Sequence, residues 1–149
     1  MRGYWNKPEE TARAIRQGWL CTGDGARMDD EGHVFIVDRL KDMIVSGGEN
    51  VYSAEVENVI ARHPAVQACA VIGVPHSQWG EAVHAVVVRK PGADVDDTGL
   101  YDHCRRHIAG YKCPKTIEFR AALPLSAAGK VLKRELREPH WAGQLRQVH

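Results

Sequence analysis

Residues 66–89 read VQACAVIGVPHSQWGEAVHAVVVR, and this stretch decides the fold. Two runs rich in β-branched residues, 66–74 and 82–89, predict strands. The loop between them is predicted to contain Pro75, Trp79, Gly80 and Glu81. We therefore expect a sheet with these two strands at its centre.

A tight hairpin and a helix are predicted before these strands. The short extended runs 43–46 and 49–52 flank Gly47-Gly48, a two-residue connection that suits the positive φ angles of a hairpin turn. Ser53 is expected to cap a helix over residues 54–63. Acidic residues near the start of that helix complement its dipole.

Further elements follow the two central strands. Asp97 or Thr98 is expected to cap a second helix. Its inward residues are predicted to be Leu100, Cys104 and Ile108. Residues 116–119 predict a third strand, and a last helix is expected over about 131–138. This order predicts an α+β domain in which helices pack against a small mixed β-sheet.

The first part of the chain has too few apolar residues to form a core alone. Residues 7–17 predict a short helix, with an early proline and a following glycine. The runs 19–22 and 32–37 are expected to pair as a β-hairpin through an acidic, glycine-containing turn at 28–32. We therefore expect this segment to depend on other residues for its core.

The charge balance predicts that any electrostatic function of this chain is local. The 20 basic residues nearly balance the 19 acidic ones, so the whole chain has no field that favours nucleic acid or an anionic membrane. No apolar run approaches the roughly 20 residues of a membrane span, and the first residues lack the apolar core of a signal peptide. These observations predict a cytoplasmic protein without a transmembrane segment.

Cysteine and histidine spacing predicts no metal site. The four cysteines form no C-x-x-C pair, which favours free and mostly buried thiols. His103 and His107 are four residues apart on a predicted helix, with Cys104 between them on a different face. A metal requires more convergent ligands than these residues supply, so we interpret this surface as a solvated helix face.

Three motifs stand in the same order and spacing as in one known family. They are GWLCTGD at 18–24, DRLKDMIVSGGEN at 38–50 and LPLSAAGKVLKRELR at 123–137. Together they resemble the carboxyl-terminal part of the acyl-CoA synthetases of the adenylate-forming superfamily. The resemblance implies that residues 1–38 are a β-hairpin remnant, the trailing segment of a large N-terminal AMP-binding domain. Residues 39–149 would then be the C-terminal mobile domain.

The resemblance also implies a reaction. Family members join a carboxylic acid to ATP, which is bound with Mg²⁺, and release pyrophosphate to form an acyl-adenylate. The thiol of coenzyme A then displaces AMP. Within the superfamily, Ser46–Asn50 and the Trp79–Glu81 loop favour a CoA ligase over a peptide-synthetase adenylation subdomain or a luciferase. The residues that would select the acid are absent from this sequence.

Four residues match family positions on the nucleotide side. Lys130 matches the adenylation lysine, a cation suited to the charge that develops on the α-phosphate. Asp24 matches the aspartate that accepts hydrogen bonds from the ribose hydroxyls, although a Thr-Gly-Asp turn can also explain it. Arg39 matches a second nucleotide contact. Lys41 stands at the hinge, where backbone torsions absorb the rotation of the small domain.

Six further residues match the coenzyme A side. The hairpin residues Gly47, Gly48 and Glu49 correspond to the backbone that lines the pantetheine channel after rotation. The other three are Trp79 beside the pantetheine, Tyr111 stacked on the adenine and Lys115 at the phosphates. Structural roles compete with these assignments, since Trp79 can cap the sheet and Tyr111 can close the core.

Two positions depart from the family pattern. Cys113 stands where relatives carry arginine, and Lys112 is a candidate to replace that charge. Ala127-Ala128 replaces the proline or hydroxyl residues that many relatives have before the glycine, which predicts a less stiff loop.

Missing motifs limit what the chain can do alone. The family's phosphate-gripping loop is absent, so we predict that the isolated chain neither adenylates nor thioesterifies efficiently. A free-standing module that complements a separate AMP-binding domain is one alternative. A phosphate- or nucleic-acid-binding helix is another, built on Lys130, Lys133, Arg134 and Arg137; glutamates interrupt its basic face and no aromatic platform accompanies it.

Overall fold

The computed structural model describes residues 1–144, which form two compact units divided between Leu40 and Lys41. The division lies slightly later than the boundary after residue 38 that the motifs suggested. Arg39 still belongs to a strand of the first unit, and the Leu40 N–H donates to the Gly23 carbonyl. The assignment of the first unit to a larger domain stays a prediction.

The first unit contains one helix and two separate pairs of strands. In chain order they are α1 (Pro8–Ala14), β1 (Ile15–Arg16), β2 (Trp19–Leu20), β3 (Asp24–Met28) and β4 (Val34–Arg39). β1 pairs with β2 and β3 pairs with β4, both antiparallel. None of residues 1–40 is buried.

The predicted pairing of 19–22 with 32–37 is wrong. β4 pairs with β3 instead, because Gly23 adopts a φ of +79° and separates the short strand β2 from a new strand that begins at Asp24. The turn itself lies where the sequence predicted it. The Asp29 carboxylate accepts hydrogen bonds from the backbone N–H groups of Glu31 and His33, and so closes the turn.

The second unit contains a mixed five-stranded sheet, as predicted. Its strands are β5 (Ile44–Ser46), β6 (Glu49–Val51), β7 (Val66–His76), β8 (Gly80–Arg89) and β9 (Thr116–Phe119). The strand order is β6-β5-β8-β7, and β9 runs parallel to β8. The predicted loop between the central strands shrinks to residues 77–79, so Pro75, Gly80 and Glu81 lie within strands.

Within residues 41–144, three helices cover the two faces of this sheet: α2 (Ser53–Ala61), α3 (Asp97–His107) and α4 (Lys133–Trp141). Alternate residues of β8 point to opposite faces. Val83, Ala85 and Val87 belong to one core with Ile60 of α2 and Leu100 of α3, whereas Ala82 and Val86 belong to a second core with Leu136 of α4. The α+β architecture is therefore as predicted. Across residues 1–144, no helix combines the length and apolar content that a membrane crossing requires.

The predicted starts of these three helices need correction. Ser53 is the first residue of α2 rather than its cap, and its hydroxyl accepts a hydrogen bond from Lys133 Nζ. Asp96 caps α3, in place of Asp97 or Thr98, because its carboxylate accepts the Gly99 N–H. α4 begins at Lys133 rather than 131, since Val131 is bridged to Leu125 in extended conformation.

Candidate functional site

The β5–β6 hairpin turns through two glycines, as the sequence predicted. Gly47 and Gly48 have φ angles of +60° and +87°, the left-handed values that a type I′ hairpin turn requires at both positions. The Gly47 N–H donates to the Trp79 carbonyl at 2.9 Å. The hairpin tip is therefore fixed against the connection between β7 and β8.

Five of the six residues assigned to coenzyme A surround one small cavity of about 280 Å³. Its lining consists of Ser46, Gly47, Glu49, Trp79, Tyr111 and Lys115. The sixth residue, Gly48, lines a larger neighbouring cavity of about 840 Å³, which also includes Trp141 and the His76 ring. The sequence spreads these positions over β5, β6, the β7–β8 connection and the segment before β9. The fold brings them together beside the glycine turn.

Trp79 forms the wall shared by both cavities. Its ring stacks on His76 with centroids 4.3 Å apart and planes 8° apart, and Lys115 Nζ lies 5.1 Å from its centre. The half-buried tryptophan therefore stacks on an imidazole and also has an ammonium group over its ring. Tyr111 does not close the core, because 43% of its surface is exposed.

Lys112 does not replace the charge missing at Cys113. Its ammonium group contacts both oxygens of Glu55 at 2.7 Å, and this hydrogen bond raises the pKa of Lys112. Cys113 is fully buried in the core formed with α2 and α3, and burial raises the pKa of its thiol. An arginine at this position would need to leave the core.

Lys130 lies at the end of a tight turn. The Ser126 N–H donates to the Lys130 carbonyl at 2.8 Å, and the Lys130 N–H donates to Ser126 Oγ at 3.1 Å. Gly129 has a φ of +75°, so this turn needs a residue without a Cβ. Within residues 1–144 the exposed Lys130 ammonium has no ion-pair partner. The turn holds its backbone while the charge remains in solvent.

Asp24 and Arg39 are cross-strand partners in the first unit. Arg39 Nε lies 3.9 Å from Asp24 Oδ1, and the two residues face each other in the β3–β4 register. The Asp24 N–H donates to Thr22 Oγ1, so the turn chemistry that competed with a nucleotide role is also present. Lys41 is the first residue of the second unit, and its carbonyl accepts a hydrogen bond from Arg137.

Comparison with known proteins decides the family. Residues 55–130 match the model of the AMP-binding enzyme C-terminal domain. The chain belongs to this family. It is 53% identical over 137 residues to a feruloyl-CoA synthase from an Amycolatopsis species, covering 92% of this chain and 28% of that protein. It is 52% identical over 138 residues to a long-chain-fatty-acid–CoA ligase of Bacillus subtilis strain 168, covering 93% and 25%.

A solved structure agrees with this assignment. The ATP-bound MatB from Rhodopseudomonas palustris matches with a TM-score of 0.85 and 42% identity, over 93% of this chain and 28% of that one. The chain therefore spans about a quarter of the length of the curated relatives it matches. The residues matched by the family model include Trp79, Tyr111, Lys115 and Lys130.

In this C-terminal domain, two cations of α4 are committed to internal contacts. Lys133 Nζ lies 2.7 Å from Glu57 and 2.8 Å from Ser53 Oγ. Arg137 contacts Asp42 at 2.7 Å. Both side chains are mostly buried, so they are not available to a phosphate backbone. The predicted basic face is reduced to Lys130 and Arg134, which weakens the nucleic-acid alternative.

Glu81 is a buried acid of β8, whereas its sequence context predicts a loop position. Its side chain accepts the Val45 N–H at 3.0 Å and so fastens β5 to β8 beneath the hairpin. Gly73 lies opposite, where an added Cβ would come within 2.7 Å of the carboxylate. Gly73 was the signal in the sequence, because a glycine inside a strand often marks a place where another group comes close to the backbone.

His103 does not lie on a solvated helix face. It is buried, and its Nε2 is 2.9 Å from the Val59 carbonyl of α2, so it joins α3 to α2. His107 is exposed, as predicted. The four cysteines are free; Cys104 and Cys113 are buried, Cys69 is half-buried and Cys21 is exposed.

Proposed function

We propose that this chain is the carboxyl-terminal part of an AMP-forming acid–CoA ligase and serves both half-reactions. One observation carries the proposal. Within residues 41–144, an ammonium group without an ion-pair partner lies on a tight turn, and a cavity lined by glycine, aromatic rings and a cation lies elsewhere. Lys130 does not line that cavity. Two different chemical tasks can therefore be assigned to two different places on one domain.

Lys130 acts in the first half-reaction. A carboxylate oxygen of the acid attacks the α-phosphorus of Mg²⁺-bound ATP, and pyrophosphate leaves. Negative charge develops around that phosphorus, so a fixed cation lowers the barrier. The Ser126 hydrogen bonds support this role, because they restrict the backbone that presents the lysine.

The cavity beside Gly47 acts in the second half-reaction. The thiol sulfur of coenzyme A attacks the acyl carbon, the thiol proton is lost and AMP leaves. The turn glycines let the pantetheine approach the backbone, Trp79 and Tyr111 offer rings, and Lys115 offers a charge for phosphate. Glu49 completes the lining at the hairpin.

The first unit and Lys41 serve the same cycle. Asp24 accepts hydrogen bonds from the ribose hydroxyls, and Arg39 is a second nucleotide contact. Lys41 is the hinge, and its place at the start of the second unit supports this. The partner is the protein's own N-terminal AMP-binding domain, and the substrate is a carboxylic acid whose class stays open. We assign the protein to the cytoplasm, where ATP and coenzyme A are available.

A chimera tests the proposal. Residues 1–144 replace the matching last quarter of the feruloyl-CoA synthase relative, and Lys130→Ala is compared with the parent chimera. Pyrophosphate release should fall by roughly 10²- to 10³-fold, because one preorganised cation is lost. Conversion of supplied acyl-adenylate to acyl-CoA should not change. Lys90→Ala, at an exposed lysine of the same unit, is the matched control and should affect neither step.

The opposite pattern is expected for Trp79→Ala in the same chimera. Loss of its ring should weaken coenzyme A binding about tenfold, seen as a raised KM for coenzyme A in the second step. Pyrophosphate release should be unchanged. Equal loss of both steps in either variant, or loss of neither, contradicts the division of tasks. Acid-dependent pyrophosphate release by the isolated chain would contradict the dependence on a large domain.

A further inference from the structure

We propose that His84, Glu118 and His140 form a binding site for a divalent transition-metal ion of the zinc type, which joins α4 to the sheet. One ligand atom from each residue lies within 4.8 Å of the other two. His84 is on β8, Glu118 is on β9 and His140 is in the last turn of α4. This site is separate from Lys130 and from the cavity beside the glycine turn.

Strand alternation explains why these residues meet. His84 shares the α4 face of β8 with Ala82 and Val86, which pack against Leu136 of α4. Glu118 is the register partner of Val86 on the neighbouring strand β9, so its side chain occupies the same face. His140 follows Leu136 by one helical turn. The apolar contact between α4 and the sheet therefore ends in a group of three possible metal ligands.

Among residues 1–144, the His84 nitrogen that faces this group has no hydrogen-bond partner. His84 is only 5% exposed, and its Nε2 is buried without a hydrogen bond among the described residues. An unpaired buried polar atom is costly and needs an explanation. The other ring nitrogen, Nδ1, lies 2.7 Å from Thr116 Oγ1. When Nδ1–H donates to this hydroxyl, the lone pair of Nε2 points at Glu118 and His140, which is the arrangement that orients a metal-binding histidine.

The distance between His84 Nε2 and Glu118 Oε2 fits two ligands of one metal ion better than a direct hydrogen bond. His84 Nε2 is 3.6 Å from Glu118 Oε2, too long for a hydrogen bond. Two ligands that each lie about 2.1 Å from a tetrahedral ion are about 3.4 Å apart. His140 completes the set, with its ring centroid 5.0 Å from that of His84. A small movement of the His140 side chain would close the site.

The donor set selects the class of ion. Two imidazoles and one carboxylate suit zinc and neighbouring first-row metals, and a water molecule would take the fourth position. Arg120 competes for the carboxylate, because its Nε lies 2.6 Å from Glu118 Oε1 and its Nη2 lies 3.2 Å from Oε2. We therefore expect a site that fills at micromolar rather than trace metal concentrations.

The whole chain tests the proposal, with Cys21→Ser in every variant so that the exposed thiol cannot bind metal. Calorimetric titration with Zn²⁺ should give one ion per chain, and saturation should raise the thermal midpoint. His140→Ala should weaken binding by at least about 10- to 100-fold, and Thr116→Val by a similar factor through the lost Nδ1 partner. His107→Ala, at an exposed histidine of the same unit, is the matched control and should bind like the parent.

Spectra identify the ligands independently of stability. Co²⁺ should give the visible absorption of a four-coordinate site without a thiolate charge-transfer band, and Zn²⁺ should shift the imidazole ¹⁵N resonances of His84 and His140. Glu118→Gln keeps the side-chain size if His84 variants fail to fold, and it should also weaken binding. Absence of saturable binding at micromolar Zn²⁺, unchanged binding in His140→Ala, or a thiolate band would each overturn the proposal.

Discussion

The two compact units of this chain differ in whether their apolar residues are covered. The second unit buries two cores, one on each face of its sheet. The first unit buries no residue, and Trp5 and Ile36 are 90% and 66% exposed. Other exposed large residues of that unit include Trp19, Met28, Val34 and Phe35. The contrast follows the general rule that the apolar face of a sheet must be buried against another layer.

The first unit also has the weaker sheet structure of the two. Its strands form two-stranded pairs, which are marginal in water without further packing. An exposed apolar surface of this kind marks an interaction site. Since the chain spans about a quarter of its curated relatives, we propose that the large domain of the same enzyme covers this surface. The contrast between the units can be tested at three scales.

Separating the units should produce the largest effect. Residues 41–149 expressed alone should fold and unfold cooperatively, because both cores lie within that unit. Residues 1–40 alone should be unfolded, because none of them is buried. Circular dichroism during thermal unfolding and amide hydrogen exchange measure both outcomes. Protected amides in the isolated 1–40 peptide would show that this segment does not need a covering layer.

A matched pair of isoleucines should produce the next largest effect. Ile44 of β5 is fully buried, whereas Ile36 of β4 is 66% exposed. Ile44→Ala should lower the free energy of unfolding by about 2 to 5 kcal/mol, because it leaves a cavity in a packed core. Ile36→Ala should cost less than about 1 kcal/mol, since only strand preference changes.

Chemical denaturation of the 149-residue chain measures both changes. The same pair sharpens the comparison when repeated in the chimera with the relative's large domain. There, Ile36→Ala should become more costly if that domain covers the first unit. An equal cost for Ile36→Ala in both settings would contradict the proposed interface.

The same contrast separates what the sequence could and could not predict. The strands of the second unit were predictable, because a β-branched run such as 82–89 indicates a buried strand without knowledge of its neighbours. The pairing in the first unit was not, because Asp24–Met28 has few strand-forming residues and Gly23 alone marks its start. His84 lies within the predicted strand 82–89, and nothing in that run distinguishes it. Its meeting with Glu118 and His140 depends on sheet register and on where α4 ends, which no local pattern encodes.

Differences in cysteine reactivity should be the smallest effect. They measure how well each unit buries its thiols. Cys21 lies exposed in the first unit, whereas the other three thiols belong to the second. Burial raises the pKa of Cys69 to about 12, helped by nearby Glu57, and burial raises that of Cys104 to about 11. Burial also raises the pKa of Cys113.

A thiol-reactive reagent at pH 8 should therefore modify one cysteine quickly in the native chain and all four in denaturant. At that pH a thiol with a pKa of about 11 is thiolate in roughly one molecule in a thousand, and only the thiolate reacts. Native labelling of Cys69 or Cys104 should rise with pH toward these pKa values. Mass spectrometry of peptides identifies the labelled position. Fast native labelling of Cys104 would mean that the core between α2 and α3 opens readily, and the contrast between the two units would then be one of degree.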